Sequence, residues 1–125
     1  MSERTSYAPG TPSWVDLGSP DPAAAAAFYG GLFGWGLSKE ASSDNSAIFT
    51  VGDTMICGAH TAGEGEFPAW SVWFAVDDCD ASAAKVTELG GSVLMPPSDM
   101  DFGRGAVVAD PHGAVFGIGA MSSTT

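Results

Sequence analysis

The sequence is short of positive charge. Among its 125 residues only four are basic (Arg4, Lys39, Lys85 and Arg104) against 15 acidic ones, a formal net charge of -11. A chain this acidic repels a phosphate backbone and an anionic membrane surface, so neither nucleic acid nor membrane is expected as a partner. Cysteine is equally scarce. Cys57 and Cys79 form no CxxC pair and are too few for a disulfide framework. No apolar run reaches membrane-spanning length, and residues 1–13 hold no apolar stretch of the kind an export signal requires. A cytoplasmic setting is the expectation. There is no GxGxxG, Walker or GxSxG pattern, and Gly63-Glu64-Gly65-Glu66 reads as a solvated connector.

Apolar residues supply 45% of the chain, enough for a core without disulfide or metal staples. Ser13 to Leu17 alternates as a strand does. Pro20-Asp21-Pro22 stops it, with Asp21 suited to cap a helix and Pro22 to its first position. The helix runs through Ala23–Ala27, Phe28, Tyr29, Leu32 and Phe33, and Gly34 can end it. Ala47–Val51 and Met55–Ala59 read as a hairpin about Gly52-Asp53. Trp70–Val76 is strongly strand-like, and a helix over Ala81–Leu89 follows, closed by Gly90-Gly91. Ser92–Met95 is a short strand stopped by Pro96-Pro97. Gly105–Ala109 and Ala114–Gly119 are strands about the turn Asp110-Pro111-His112-Gly113.

The order repeats. A shift of 57 residues places Asp21 on Asp78, Leu32 on Leu89, Gly34 on Gly91, Val51 on Val108 and Asp53 on Asp110. Matches at caps and turns weigh more than those among the common alanines. The fold class expected is α+β, one domain over residues 1–125. It comprises a βαβββ half over 11–62, another over 68–120, an arm over 1–10 and a tail over 121–125.

Three stretches carry a resemblance. Trp14–Trp35 (WVDLGSPDPAAAAAFYGGLFGW), Val72–Gly91 (VWFAVDDCDASAAKVTELGG) and Asp110–Ile118 (DPHGAVFGI) resemble the strand–helix units and last hairpin of the vicinal oxygen chelate superfamily, that of glyoxalases, bleomycin-resistance proteins and dioxygenases. The resemblance covers about residues 11–119. The segment Tyr7–Leu17 is similar to actinobacterial members called hydroxylase-like or glyoxalase-like, which often hold two modules in tandem. It implies a curved mixed sheet, an incomplete barrel with helices on its outer face, whose halves enclose a cavity. A homodimer is implied because one module commonly needs a partner to complete that cavity.

Metal-using members place four His, Gln or Glu ligands on the concave face. By the resemblance these fall here on Trp14, Ser71, Gly117 and either His60 or Gly58. Trp and Gly side chains cannot ligate a divalent ion, which needs three or four convergent N, O or S donors. The expectation is no metal and no cofactor.

Alternation puts Trp14, Asp16, Ser71 and Trp73 on the concave face, with Val15, Leu17, Val72, Phe74 and Val76 as core beneath the helices. Two indoles suit a small apolar or aromatic ligand, or they plug the barrel themselves. Asp16 is either a buried base or a structural acceptor, and His60 either a general base or a surface histidine. Arg104 either clamps a ligand or pairs with Asp99 or Asp101. The loop Met95–Gly103 reads as a lid, and Phe49, Met55, Cys57 and Met95 as cavity lining or core. Cys57 lacks a neighbour that would make it a thiolate, and Trp70 reads as rim or interface.

The leading expectation is a metal-independent small-molecule-binding protein, serving to sequester an antibiotic or metabolite. The ligand-binding candidates are Trp14, Asp16, Phe49, Met55, His60, Ser71, Trp73, Met95 and Arg104. The alternatives are a glyoxalase-, lyase- or hydroxylase-like enzyme using Asp16 or His60, and a dimerisation module with a filled cavity.

Overall fold

A computed structural model describes residues 8–39, 42, 46–100 and 103–121. The chain divides into two compact units, Trp14–Ser71 and Met1–Ser13 with Val72–Thr125. The elements in order are β1 (Pro12–Ser19), α1 (Pro22–Phe33), β2 (Gly36–Leu37), β3 (Ser46–Val51), β4 (Thr54–Thr61), β5 (Ala69–Ala75), α2 (Cys79–Glu88), β6 (Ser92–Met100), β7 (Gly103–Ala109) and β8 (Val115–Met121). This is the α+β arrangement of two βαβββ repeats.

In the first unit the strand order is β2-β3-β4-β1, an open mixed sheet. β3 and β4 form the hairpin about Gly52, whose φ of 60° is the left-handed conformation the turn needs. β1 lies parallel to β4. Leu17, Ala47, Phe49, Cys57 and Ala59 form the core, with Ala25, Ala26 and Tyr29 of α1 packed on it. In the second unit the order is β5-β8-β7-β6, with β5 parallel to β8. Its core is Cys79, Ala83, Ala106, Val108 and Ile118.

The two helix starts are equivalent, as the repeat requires. Asp21 accepts from the Ala24 amide at 3.2 Å, and Asp78 from the Ala81 amide at 3.1 Å. Gly34, at φ 76°, ends α1. Asp78→Ala should cost about 1 kcal/mol, read as a lower midpoint of chemical denaturation.

Three expectations need correction. Pro96-Pro97 does not stop a strand, because β6 continues to Met100 and Ser98, Asp99 and Met100 pair with Gly105, Arg104 and Gly103. β6 lies last in its unit's strand order and takes the prolines through register shifts, the places where a residue without an amide hydrogen is tolerated. What reads as a lid is therefore mostly strand; residues 101 and 102 of that stretch lie outside the described residues. β2 is a strand that composition does not reveal. Val15 and Val72, read as core, are 36% and 38% exposed, whereas Leu17 is 6% exposed. Among the described residues no helix is long and apolar enough to cross a membrane.

Candidate functional site

The parallel pairing of β1 and β4 sets Asp16 beside Gly58 and Gly18 beside His60. Residues two apart on a strand share a face, so Asp16 reaches along the sheet to the imidazole. A Cβ on Gly58 would come within 3.0 Å of Asp16 Oδ1, so the glycine leaves room for the carboxylate. His60 Nδ1 and Asp16 Oδ2 are 2.5 Å apart, and His60 Nε2 lies 2.8 Å from Glu66 Oε2. The other Glu66 oxygen accepts from the Gly63 amide at 2.9 Å. The sequence names Asp16 and His60 singly; the fold makes them a pair and adds Glu66, from the connector read as solvated.

The charges follow from these contacts. Burial raises the Asp16 pKa and outweighs the opposing hydrogen bond and charge of His60. Burial alone would depress His60, but its hydrogen bonds to Asp16 and Glu66, with their charges, leave it above its ordinary value. Glu66 is held low by the Gly63 amide and then by His60. Cys57 is pushed up to about 11 by burial and by the nearby Asp16 charge, so it is a thiol at neutral pH.

A second feature of the same unit is an open, apolar cavity of about 430 Å³, lined by Val15, Tyr29, Phe33, Trp35, Ile56, Cys57 and Trp70. Its wall is a connected set of rings. Phe33 stacks on Trp35 at 4.8 Å, Tyr29 stacks on Trp35 at 5.8 Å, and Trp70 meets Tyr29 edge-on at 5.3 Å. The Trp70 indole nitrogen donates to the Tyr29 hydroxyl at 3.1 Å. The alanine-rich start of α1 and its glycine-weakened end bring these aromatics over the sheet without filling the space.

Apart from the thiol of Cys57, weighed as lining or core, the cavity uses residues that sequence reasoning did not select as ligand contacts. Phe49 is 1% exposed and sits in the core. Met55 is exposed at 56%. Ser71 and Met95 are half-buried. Arg104 is held on the surface by both Asp80 oxygens, at 2.6 and 3.1 Å, and by Asp99 at 3.0 Å. Trp73 lies over Gly117 of β8, its partner in register.

That last contact bears on metal chemistry. A Cβ on Gly117 would come within 2.0 Å of the Trp73 ring, so position 117, where the resemblance would set a carboxylate ligand, has no room for one. Trp14 and Ser71, which the resemblance would set at two further ligand positions, are poor donors for such an ion. The His60 nitrogens point to opposite carboxylates, so Asp16, His60 and Glu66 do not converge on one point. Among the described residues no group of three or more His, Cys, Asp and Glu is arranged to hold a metal. The donor set does not fit such an ion.

The repeat, the mixed sheets and the capped helices define a class, and sequence comparison agrees. The chain belongs to the Glyoxalase/Bleomycin resistance protein/Dioxygenase superfamily, whose profile matches residues 11–118. It is 43% identical over 132 residues to the anthracycline biosynthesis protein DnrV of Streptomyces peucetius, covering 91% of this chain and 48% of that protein. It is 39% identical over 126 residues to the putative glyoxylase CFP32 of Mycobacterium bovis, covering 94% of this chain and 48% of that one. The chain thus spans about half the length of the curated relatives it matches. Among solved structures it resembles a Streptomyces coelicolor methylmalonyl-CoA epimerase (TM-score 0.64, 18% identity, 93% of this chain and 100% of that one). It also resembles the Mn(II)-bound glyoxalase from Novosphingobium aromaticivorans (TM-score 0.62, 22% identity, 94% of this chain and 42% of that one). At those identities the likeness is one of fold.

Proposed function

We propose that this chain binds a small, planar aromatic molecule without a metal, in the manner of a sequestering protein. The supporting observation is the ring-walled cavity of the first unit. Offset and edge-on aromatic pairs favour flat guests, and the Trp70–Tyr29 hydrogen bond fixes two walls in place. The likeness to DnrV, named for anthracycline biosynthesis, supports a polycyclic ligand of that kind. A further feature supports a homodimer. Phe28, Leu32 and Phe33 of one helix are 62%, 59% and 57% exposed. Both cysteines are free and buried, in keeping with a cytoplasmic setting.

The test is a fluorescence titration of EDTA-treated protein with an anthracycline. Trp35 and Trp70 should be quenched, and Trp70→Ala should weaken binding about tenfold, the loss of roughly 1.4 kcal/mol of ring contact. Quenching that needs an added divalent metal, or that survives unchanged in Trp70→Ala, would overturn the reading.

A second reading is carried by the Asp16–His60 pair. An imidazole oriented by a carboxylate is the usual form of a general acid or base. If the chain turns over a substrate, His60→Gln should abolish the turnover while leaving the cavity titration intact. Loss of both together would tie the two sites to one function, and loss of neither would exclude His60 as the acid or base.

A further inference from the structure

Glu66 stands on an exposed connector with glycines at positions 63 and 65, yet its carboxylate is bound as a ligand would be. Oε2 meets His60 Nε2 at 2.8 Å, and Oε1 accepts from the Gly63 amide at 2.9 Å. Two donors, one to each oxygen, are what a carboxylate asks of a recognition site. The space it occupies is made by a missing side chain, since a Cβ on Gly18 would come within 2.3 Å of Glu66 Oε2. Behind His60, Asp16 fixes the opposite ring nitrogen at 2.5 Å and so aims Nε2 at the seat. The Glu66 side chain itself is 40% exposed.

From these contacts we infer that the space over Gly18, between His60 Nε2 and the Gly63 amide, is a binding seat for the carboxylate of a small organic acid, occupied in the free chain by Glu66. An incoming carboxylate exchanges with one already there. The charge around His60 is unchanged by the swap, so the acidity of the chain adds little penalty at the seat itself. Glu66 competes as a tethered ligand at high effective concentration, which keeps the seat shut until an acid with further contacts arrives. The positive character that Asp16 and Glu66 maintain on His60 against the cost of burial is what an anion would use. This inference does not depend on the aromatic cavity, and either can fail alone.

Nuclear magnetic resonance titration of the full chain tests it, following the His60 ring and the Gly63 amide. Benzoate stands for a free aryl acid, N-acetylglycine for a chain terminus, and benzyl alcohol for an uncharged counterpart. Glu66→Ala should bind a carboxylate at least tenfold more tightly than the wild type, with benzyl alcohol shifting neither signal. Glu66→Gln, which keeps the connector and a neutral occupant, should be intermediate. Gly18→Ala added to Glu66→Ala should fill the seat and remove the gain. A response at the indoles of Trp35 and Trp70 alone would place binding in the cavity and overturn the seat. So would equal affinities in wild type, Glu66→Ala and Glu66→Gln, or a gain that survives Gly18→Ala. Tighter binding of either acid at His60 supports the seat and identifies the source of its carboxylate.

Discussion

Gly117→Ala should destabilise the protein by about 2–4 kcal/mol, a large loss for one added methyl group. The new carbon would fall 2.0 Å from Cδ2, 2.3 Å from Cε2 and 2.4 Å from Cε3 of Trp73. These atoms lie on and beside the fused edge of the indole, so no flexible tip can swing aside. Gly117 is itself buried and in register with Trp73 on β5 and Val107 on β7, so the backbone is held on both sides. Relief requires moving the indole or distorting β8, and both cost packing. Urea denaturation should show a lower midpoint with an unchanged slope. Trp73→Ala in the same chain should recover part of the loss, because the two changes share one volume and cannot be additive. Wild-type stability in Gly117→Ala would mean the indole does not rest on position 117.

The same contact shows which parts of this protein are legible in its sequence. Caps and turns are local, and Asp21, Asp78, Gly34 and Gly52 do what their neighbours in the chain imply. The repeat is legible because those markers recur at one spacing. The role of Gly117 is not local, since it depends on a tryptophan 44 positions earlier that is brought alongside by the parallel pairing of β5 and β8. Glu66 escapes notice for a related reason. A glutamate among glycines looks solvated until a turn closed by the Glu66 amide on the Gly63 carbonyl, at 3.0 Å, delivers it to His60. The cavity joins Tyr29 to Trp70 across 41 positions, a separation at which periodicity carries no signal. Pro96-Pro97 misleads because a rule for central strands is applied to a strand at the end of its unit's order. Asp16 and His60 were both selectable by residue type. Their pairing rests on β1 lying parallel to β4, which sequence patterns do not specify.

That pairing leads to a second large effect. His60→Ala should cost about 1–3 kcal/mol at pH 7, because it leaves a poorly exposed Asp16 carboxylate without its hydrogen-bonded partner. The sign of the pH dependence separates this from simple loss of packing. In the wild type His60 is raised, so its contribution is complete below its ordinary 6.5 and fades as pH rises through the higher folded value. Glu66 is lowered, so its contribution is present above its ordinary 4.5 and is lost as pH falls through the depressed value. Asp16 runs opposite to most carboxylates. Burial raises its pKa, so the folded state holds that proton more tightly, and ionising it costs stability. The His60 and Glu66 contributions should therefore both be fully present between about 4.5 and 6.5, while Asp16 opposes them as it ionises. Removing His60 takes away the hydrogen bond and charge that restrain Asp16, whose pKa must climb further. The penalty of His60→Ala should then be fullest near pH 6.5, fade as pH rises through the raised His60 value, and shrink again once the pH is low enough to protonate Asp16. Asp16→Asn combined with His60→Ala should cost less at pH 7 than the sum of the two single changes. Denaturation midpoints measured from pH 4 to 8 give the result directly. A penalty independent of pH would reduce the Asp16–His60 contact to packing, and would remove the charged imidazole that both an acid–base role and the carboxylate seat require.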